Sequence, residues 1–247
     1  MPGPVQIADG VVRLGSRFVN WYLVADQDGV CVVDAGVRGY RPQLETGLAL
    51  LGRGLDDVRA VVLTHGDADH VGLAGPIRSE TGAPVHLHGD DEVLVSRPKP
   101  KKTEGGFLGA LRHPGLWQIA AHLGRNGALP LPKIRGTVAL AEGETVAAPG
   151  RPRVLHTPGH TPGHVVLQFA EHGAVFTGDA LCTWNVLTGE RGPRLMPTPF
   201  NVSTSGARAS LARLDEVDAS LVLPGHGEPW TDGAAQAAAQ AREAGPS

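Results

Sequence analysis

The sequence predicts an α/β fold in which strands and helices interleave around two sheets. Short runs rich in Val, Ile and Leu recur along the chain, bounded by Gly and Asp turn residues. Between some of them apolar residues return at helical spacing, as at Leu44, Leu48 and Leu51. Several strand-like runs end in histidine or aspartate, at His65 to His70, His160, Asp179 and His226. A chain of 247 residues, 41% hydrophobic and 19% charged, is long and apolar enough for one large domain with a layered core.

The first elements are close-spaced strands. Gln6-Ile7, Val11 to Leu14 and Phe18 to Val24 are separated by Asp9-Gly10 and Gly15-Ser16 turns. Asp26 to Gly29 is a hairpin loop leading to the strand Val30 to Val33. This spacing predicts an antiparallel meander that begins the first sheet. Pro42 to Leu51 is a helix stopped by Gly52 and Gly54, and 59–64 is a buried strand. Leu73 to Thr81 is a helix closed by Gly82, and Val85 to His88 is a further strand. His86 and His88 share one face of it, and with no partner ligands nearby in sequence their expected role is packing or pocket lining.

Residues 97–135 differ in composition. The segment opens with Pro98-Lys-Pro-Lys-Lys102, contains Gly105-Gly106 and closes with Pro130-Leu-Pro132. Phe107 to Leu123 carries apolar residues at 107, 108, 111, 116, 119, 120 and 123, interrupted by Pro114. The pattern predicts an inserted helical hairpin or lid. Arg97, Lys99, Lys101 and Lys102 form a basic run, ordinarily a solvated surface and, in a functional reading, an attractor for an anionic substrate. Beyond it, 137–140, 145–147, 153–156, 164–169 and 174–177 read as strands of the second sheet. Ala207 to Leu214 is a short helix, Leu221 to Leu223 a strand and 233–243 a terminal helix.

His65-Gly66-Asp67-Ala68-Asp69-His70 follows the strand 59–64 directly. An Asp-rich loop alone is usually a solvated turn. Here Thr157-Pro-Gly-His160-Thr-Pro-Gly-His164, Thr177-Gly-Asp179 and Leu223-Pro-Gly-His226 repeat the same device at other strand ends. Imidazole together with carboxylate suits zinc, iron or manganese rather than calcium.

Taken in order, His65-x-Asp67-x-Asp69-His70, His160, Asp179 and His226 resemble the metallo-β-lactamase superfamily of hydrolases, over nearly the whole chain from Val5 onward. The resemblance implies a four-layer αβ/βα sandwich, two mixed sheets flanked by helices, with the site along one edge. The family's usual pattern is His-x-His-x-Asp-His, and Asp67 stands where its second His is expected. Carried over residue by residue, the resemblance implies two divalent metal ions, zinc foremost. One would be held by His65, Asp67 and His160, the other by Asp69, His70 and His226, with Asp179 bridging. It further implies a metal-bridging hydroxide as nucleophile, oriented by Asp69, which then carries a proton. The extra carboxylate of Asp67 makes the set richer in oxygen and so opens it to iron or manganese.

Other residues take supporting parts on the same basis. Asp34 would lie near the metals, His164 would be buried and structural, and the 97–135 insertion would cover the cleft. His156 is expected beside the ligands or in the core, and His113, His122 and His172 in exposed or packing positions. Cys182, three residues after Asp179, is expected to pack near the site.

The expected activity is hydrolysis of a small ester, thioester, lactone or lactam. The Thr-Pro-Gly-His repeat is similar to the glyoxalase II-like branch, but the short tail after His226 leaves no room for that branch's glutathione-binding domain, so a glutathione thioester is not expected. A net charge of -3 gives no electrostatic reason to bind nucleic acid. No apolar run approaches a membrane span, no leader pattern opens the chain, and two cysteines make no disulfide framework. A cytoplasmic monomer or homodimer follows. Two other readings remain open: an iron-dependent oxidoreductase of the persulfide dioxygenase or di-iron reductase kind, and a mono-metal binding protein in which Asp67 has weakened the first position.

Overall fold

The computed structural model of the protein describes residues 3–98, 101–106 and 108–245. Lys99 and Phe107, both given roles above, lie outside the described residues. The first sheet begins as the expected meander: β1 (Val5–Ala8), β2 (Val11–Gly15), β3 (Asn20–Asp26) and β4 (Gly29–Val33) pair antiparallel in sequence order. Helix α1 (Arg41–Leu50) then returns the chain, so β5 (Val58–Val62) lies parallel to β4. Helix α2 (Ala74–Thr81), closed by Gly82 at φ +75°, makes the same crossover to β6 (Val85–His88).

The alternation of side chains along these strands divides the core in two. Val12, Leu14, Leu23, Val30, Val32 and Val61 face α1 and α2, meeting Leu44, Leu48 and Ile77. Each such buried aliphatic side chain contributes roughly 1.5–3 kcal/mol relative to exposure. Val11, Tyr22, Val24, Cys31, Val33 and Val62 face the opposite way, toward the second sheet.

After β6 the chain forms a short helix α3 (Glu92–Ser96) and then the compositionally distinct segment. Within it a 3-10 turn at Ala110–Arg112 leads to α4 (Pro114–Arg125), the one α-helix among the described residues of the segment, where a helical hairpin or lid was expected. Pro114 does not interrupt the helix. It starts it, at the first position, where its missing N–H costs nothing. The chain returns as β7 (Val138–Leu140), which pairs parallel with β6. The assignment of 137–140 to the second sheet is therefore corrected: the long 97–135 excursion is itself a crossover, and it delivers the strand to the open edge of the first sheet.

The second sheet has the order β13-β10-β9-β8, from β8 (Arg153–His156), β9 (Val165–Phe169), β10 (Ala174–Gly178) and β13 (Leu221–Pro224). Residues 145–147 form no strand; Thr145 makes one isolated bridge to Arg153, while Val146 is buried. A hairpin of β11 (Cys182–Trp184) and β12 (Arg191–Arg194) also forms, its strands too short and too Gly/Pro-interrupted to show a period. On the outer face, Leu155, Val166, Val175 and Val222 meet α5 (Thr204–Ser210), the 3-10 turn Leu211–Glu216 and the alanine stripe of α6 (Ala234–Ala244). Helices, sheet, sheet and helices thus form the four-layer αβ/βα sandwich. No helix among the described residues is long and apolar enough to cross a membrane.

Candidate metal centre

The site residues are gathered by strand direction. β10 and β13 run parallel, so the residues just past their C-terminal ends, Asp179 and His226, emerge side by side. The C-terminal end of β5 and the loop between β8 and β9 open at the same edge: Val165 N–H donates to the Thr64 carbonyl across the two sheets. His65, Asp67 and His160 lie with their ligand atoms within 4.8 Å of one another, and so do Asp69, His70 and His226. Asp179 stands between the groups. Its Oδ2 is 3.4 Å from His160 Nε2 and 3.2 Å from His226 Nε2, and its Oδ1 is 3.6 Å from His70 Nε2. Gly225 makes this closeness possible, because a Cβ there would fall 2.4 Å from Asp179 Oδ1 and 2.7 Å from the His70 ring.

The hydrogen bonds fix how each imidazole points. His70 Nδ1 donates to Asp34 Oδ2 at 2.9 Å, and His160 Nδ1 donates to Asn201 Oδ1 at 3.1 Å. His226 Nδ1 donates to the Phe18 carbonyl. Thr64 Oγ1 gives its own proton to Asp34, so at 2.9 Å it accepts from His65 Nδ1. All four rings therefore spend Nδ1–H on protein acceptors and turn Nε2 inward. His65 Nε2 and His70 Nε2 are buried with no hydrogen-bond partner. Imidazole Nε2 atoms and carboxylates crowded together in this way form a ligand set that fits divalent cations.

Electrostatics agree with that reading. Burial lowers the His65 pKa well below its usual value, helped by the neighbouring His70, which leaves the ring neutral. Burial opposes charge on His70 too, but Asp179, Asp69 and Asp34 outweigh it and raise its pKa to about 10. His226 is raised in the same sense, with Asp179 as the main opponent of burial. Burial likewise disfavours charge on Asp179, yet His226, His70 and His160 hold its carboxyl well below the usual range. The carboxylates draw positive charge into the centre.

A further shell of residues braces the ligand loops. Asp34, in the left-handed region at φ 57°, also accepts from Thr64 N–H at 2.8 Å. His164 is buried, and its Nε2 accepts Asp179 N–H at 3.0 Å, the structural part expected of it. One residue escaped the sequence reading and another was read there in a different role. Asp91 is fully buried and accepts from Gly66 N–H, Gly163 N–H and Thr161 Oγ1, tying the 65–70 loop to the 157–164 loop. Gly163 has no alternative there, since a Cβ would lie 2.7 Å from Asp91 N. Lys101 is the other: its Nζ is 2.5 Å from Asp67 Oδ2 and 2.8 Å from His160 Nε2. Burial works against charge on Asp67, but the Lys101 ammonium and His160 hold its carboxyl well below the usual range.

The remaining candidates sit elsewhere. His86 is buried in β6, and His88 stacks on His156 at 4.2 Å and 10°. With Asp90 these two rings also bring their possible ligand atoms within 4.8 Å of one another, so His88 does have partners of ligand type close by, although the near-parallel stacking suits packing. His113 meets Arg112 at the surface, and His172 lies 3.3 Å from the Asp9 carbonyl. His122 is more engaged than expected, with Nε2 2.7 Å from Tyr40 Oη and 3.2 Å from Ser16 Oγ. Cys182 packs 3.9 Å from Asp179 Oδ1, and burial pushes its thiol well up.

Two apolar cavities meet at the centre. One of about 230 Å³ is walled by Leu116, Ile119, Ala120 and Leu123 of α4, with Val186 and Met196 opposite. Another of about 240 Å³ lies on the other side of Asp67, between Val71, Leu94, Leu131 and Pro132. Phe200 borders both.

A four-layer sandwich with histidines and aspartates converging at the ends of its strands defines a metallo-hydrolase class. The model of the metallo-β-lactamase superfamily matches residues 14–226, and the chain belongs to that superfamily. It is similar to the probable metallo-hydrolase YflN of Bacillus subtilis, 27% identical over 92% of this chain and 87% of that one. Among solved structures it resembles the metallo-β-lactamase family protein TTHA1429 of Thermus thermophilus, at 26% identity and TM-score 0.68, covering 97% of this chain and 80% of that one. The fold also matches MEM-A1, a subclass B3 metallo-β-lactamase from a soil metagenome, with TM-score 0.69 at 20% identity over 98% and 93% of the two chains.

Proposed function

We propose that the protein is a dinuclear metal-dependent hydrolase of small esters, thioesters, lactones or lactams bearing apolar groups on both sides of the bond to be cut. The observation that carries this is the inward convergence of His65, His70, His160 and His226 through Nε2 upon Asp179, with every Nδ1 committed outward. His65, Asp67 and His160 would hold one divalent ion, Asp69, His70 and His226 the other, and Asp179 would reach both. Bound there, such ions supply a Lewis acid for the acyl oxygen and acidify water toward neutral pH. Zinc is the leading candidate, and the carboxylate of Asp67 extends the site's range toward iron and manganese.

The chain's own residues supply the rest. Asp69 Oδ2 lies 3.8 Å from His70 Nε2 and 3.7 Å from His226 Nε2, at the floor of the α4-walled cavity. It would orient an attacking water and take up its proton. The α4 wall acts as a lid that excludes bulk water and receives an apolar acyl or ring portion. The cavity beyond Asp67 receives the other side of the substrate. Hydrolysis of lactone, thioester, β-lactam and phosphodiester model compounds by zinc-, manganese- and iron-loaded protein tests the reading. Turnover confined to the first three classes supports it; turnover of the phosphodiester alone, or oxygen uptake by the iron-loaded protein without hydrolysis, overturns it.

A further inference from the structure

Asp67 and Lys101 belong together. Asp67 adds a carboxylate where the pattern expects a neutral imidazole, and it stands in the same group as His65 and His160. Lys101, 34 residues further on, brings an ammonium to that carboxylate at 2.5 Å and to His160 Nε2 at 2.8 Å. Its side chain is only 11% exposed, so the charge is held in the site rather than in solvent. His160 has given its Nδ1–H to Asn201, and its Nε2, the atom a metal would use, lies 2.8 Å from Lys101 Nζ and 3.0 Å from Asp67 Oδ2. By contrast, Asp69, His70 and His226 have no lysine or arginine among their hydrogen-bond or ion-pair partners in the described residues.

We infer that Lys101 is an internal cation that competes with metal for the His65, Asp67 and His160 position. The two positions of the centre are then unequal. The Asp69, His70 and His226 position fills first and tightly. The other fills only when an incoming ion displaces the Lys101 ammonium from Asp67 and His160. Lys101 lines the 240 Å³ cavity next to Asp67, which gives a displaced ammonium space to move into. The inference rests on the proposed metal centre and adds an order of filling to it.

Metal binding, not turnover, tests it. Wild-type protein and Lys101→Gln are stripped, confirmed folded by circular dichroism, and titrated with cobalt(II) and with zinc(II) against a chromophoric chelator. The wild type is expected to bind one ion tightly and a second weakly. Lys101→Gln is expected to tighten the second by roughly ten- to a hundredfold, the scale on which groups bonded to ligands tune affinity. Asp67→His, which removes the carboxylate that holds Lys101, is expected to tighten it as well, and it serves if Lys101→Gln fails to fold. Two equal tight sites in the wild type, or an unchanged second affinity in both variants, overturns the inference while leaving the metal centre standing. Binding of no metal by any of the proteins overturns both.

Discussion

Asp34 Oδ2 accepts the Nδ1–H of His70 at 2.9 Å, and this one bond decides which nitrogen of His70 faces the centre. The same carboxylate holds Thr64, whose hydroxyl orients His65. Replacing Asp34 with Asn keeps the shape and suits the backbone, since Asn tolerates the left-handed φ of 57°. It no longer demands a proton from His70. Asp34→Asn is expected to weaken metal binding at the Asp69, His70 and His226 position by roughly ten- to a hundredfold in protein that circular dichroism confirms is folded. Unchanged affinity in a chelator competition would show that His70 needs no such partner.

The pH behaviour of stripped protein follows from His70. Its folded pKa is raised from 6.5 to about 10, so its protonation contributes stability that is fully present below about 6.5 and lost as pH rises toward 10. A metal bound at His70 Nε2 would replace that proton. Melting temperature is therefore expected to fall for metal-free protein between pH 6.5 and 10, and to change much less when metal is saturating. Parallel pH profiles for the two forms would contradict this.

Asp91 is the joint between two ligand loops. Truncating it to Ala leaves Gly66 N–H, Gly163 N–H and Thr161 Oγ1 without their acceptor. The cost is roughly 1–3 kcal/mol for each orphaned donor, less where water enters. Denaturant unfolding should show a loss in this range or above it, together with weaker metal binding. A loss within error of zero would mean that the loops hold each other by other contacts.

The apolar runs ending in His or Asp marked the segments that an α/β sandwich brings to one edge, while the choice of seven candidate ligands within them came from the resemblance to the superfamily. Asp91 and Lys101 were not legible in this way. Asp91 reaches residues 25 and 72 positions away, and Lys101 reaches 34 and 59 positions, with no local pattern to mark either. The basic run around Lys101 read as solvated surface or as an attractor for an anionic substrate, whereas its lysine turns inward to a carboxylate of the protein itself. The first sheet's meander was legible from turn spacing, but the place of β7 was not, since a three-residue edge strand carries no period of its own.

The proposed function gives the α4 wall control of substrate preference. Leu116→Ala and Leu123→Ala each remove apolar surface from the 230 Å³ cavity without touching a ligand. At about 0.8 kcal/mol per buried methylene, each is expected to raise KM for a substrate with an apolar acyl chain by roughly tenfold. Metal content should stay unchanged, and KM for an acetyl ester should move far less. Equal effects on both substrates would remove α4 from the binding wall.

The central claim is tested most directly by anomalous diffraction from crystals grown with excess zinc or manganese. The account predicts density about 2.0–2.2 Å from Nε2 of His70 and His226, with a second peak near His65 and His160 that strengthens as metal concentration rises. No anomalous peak among those four nitrogens at saturating metal would contradict it.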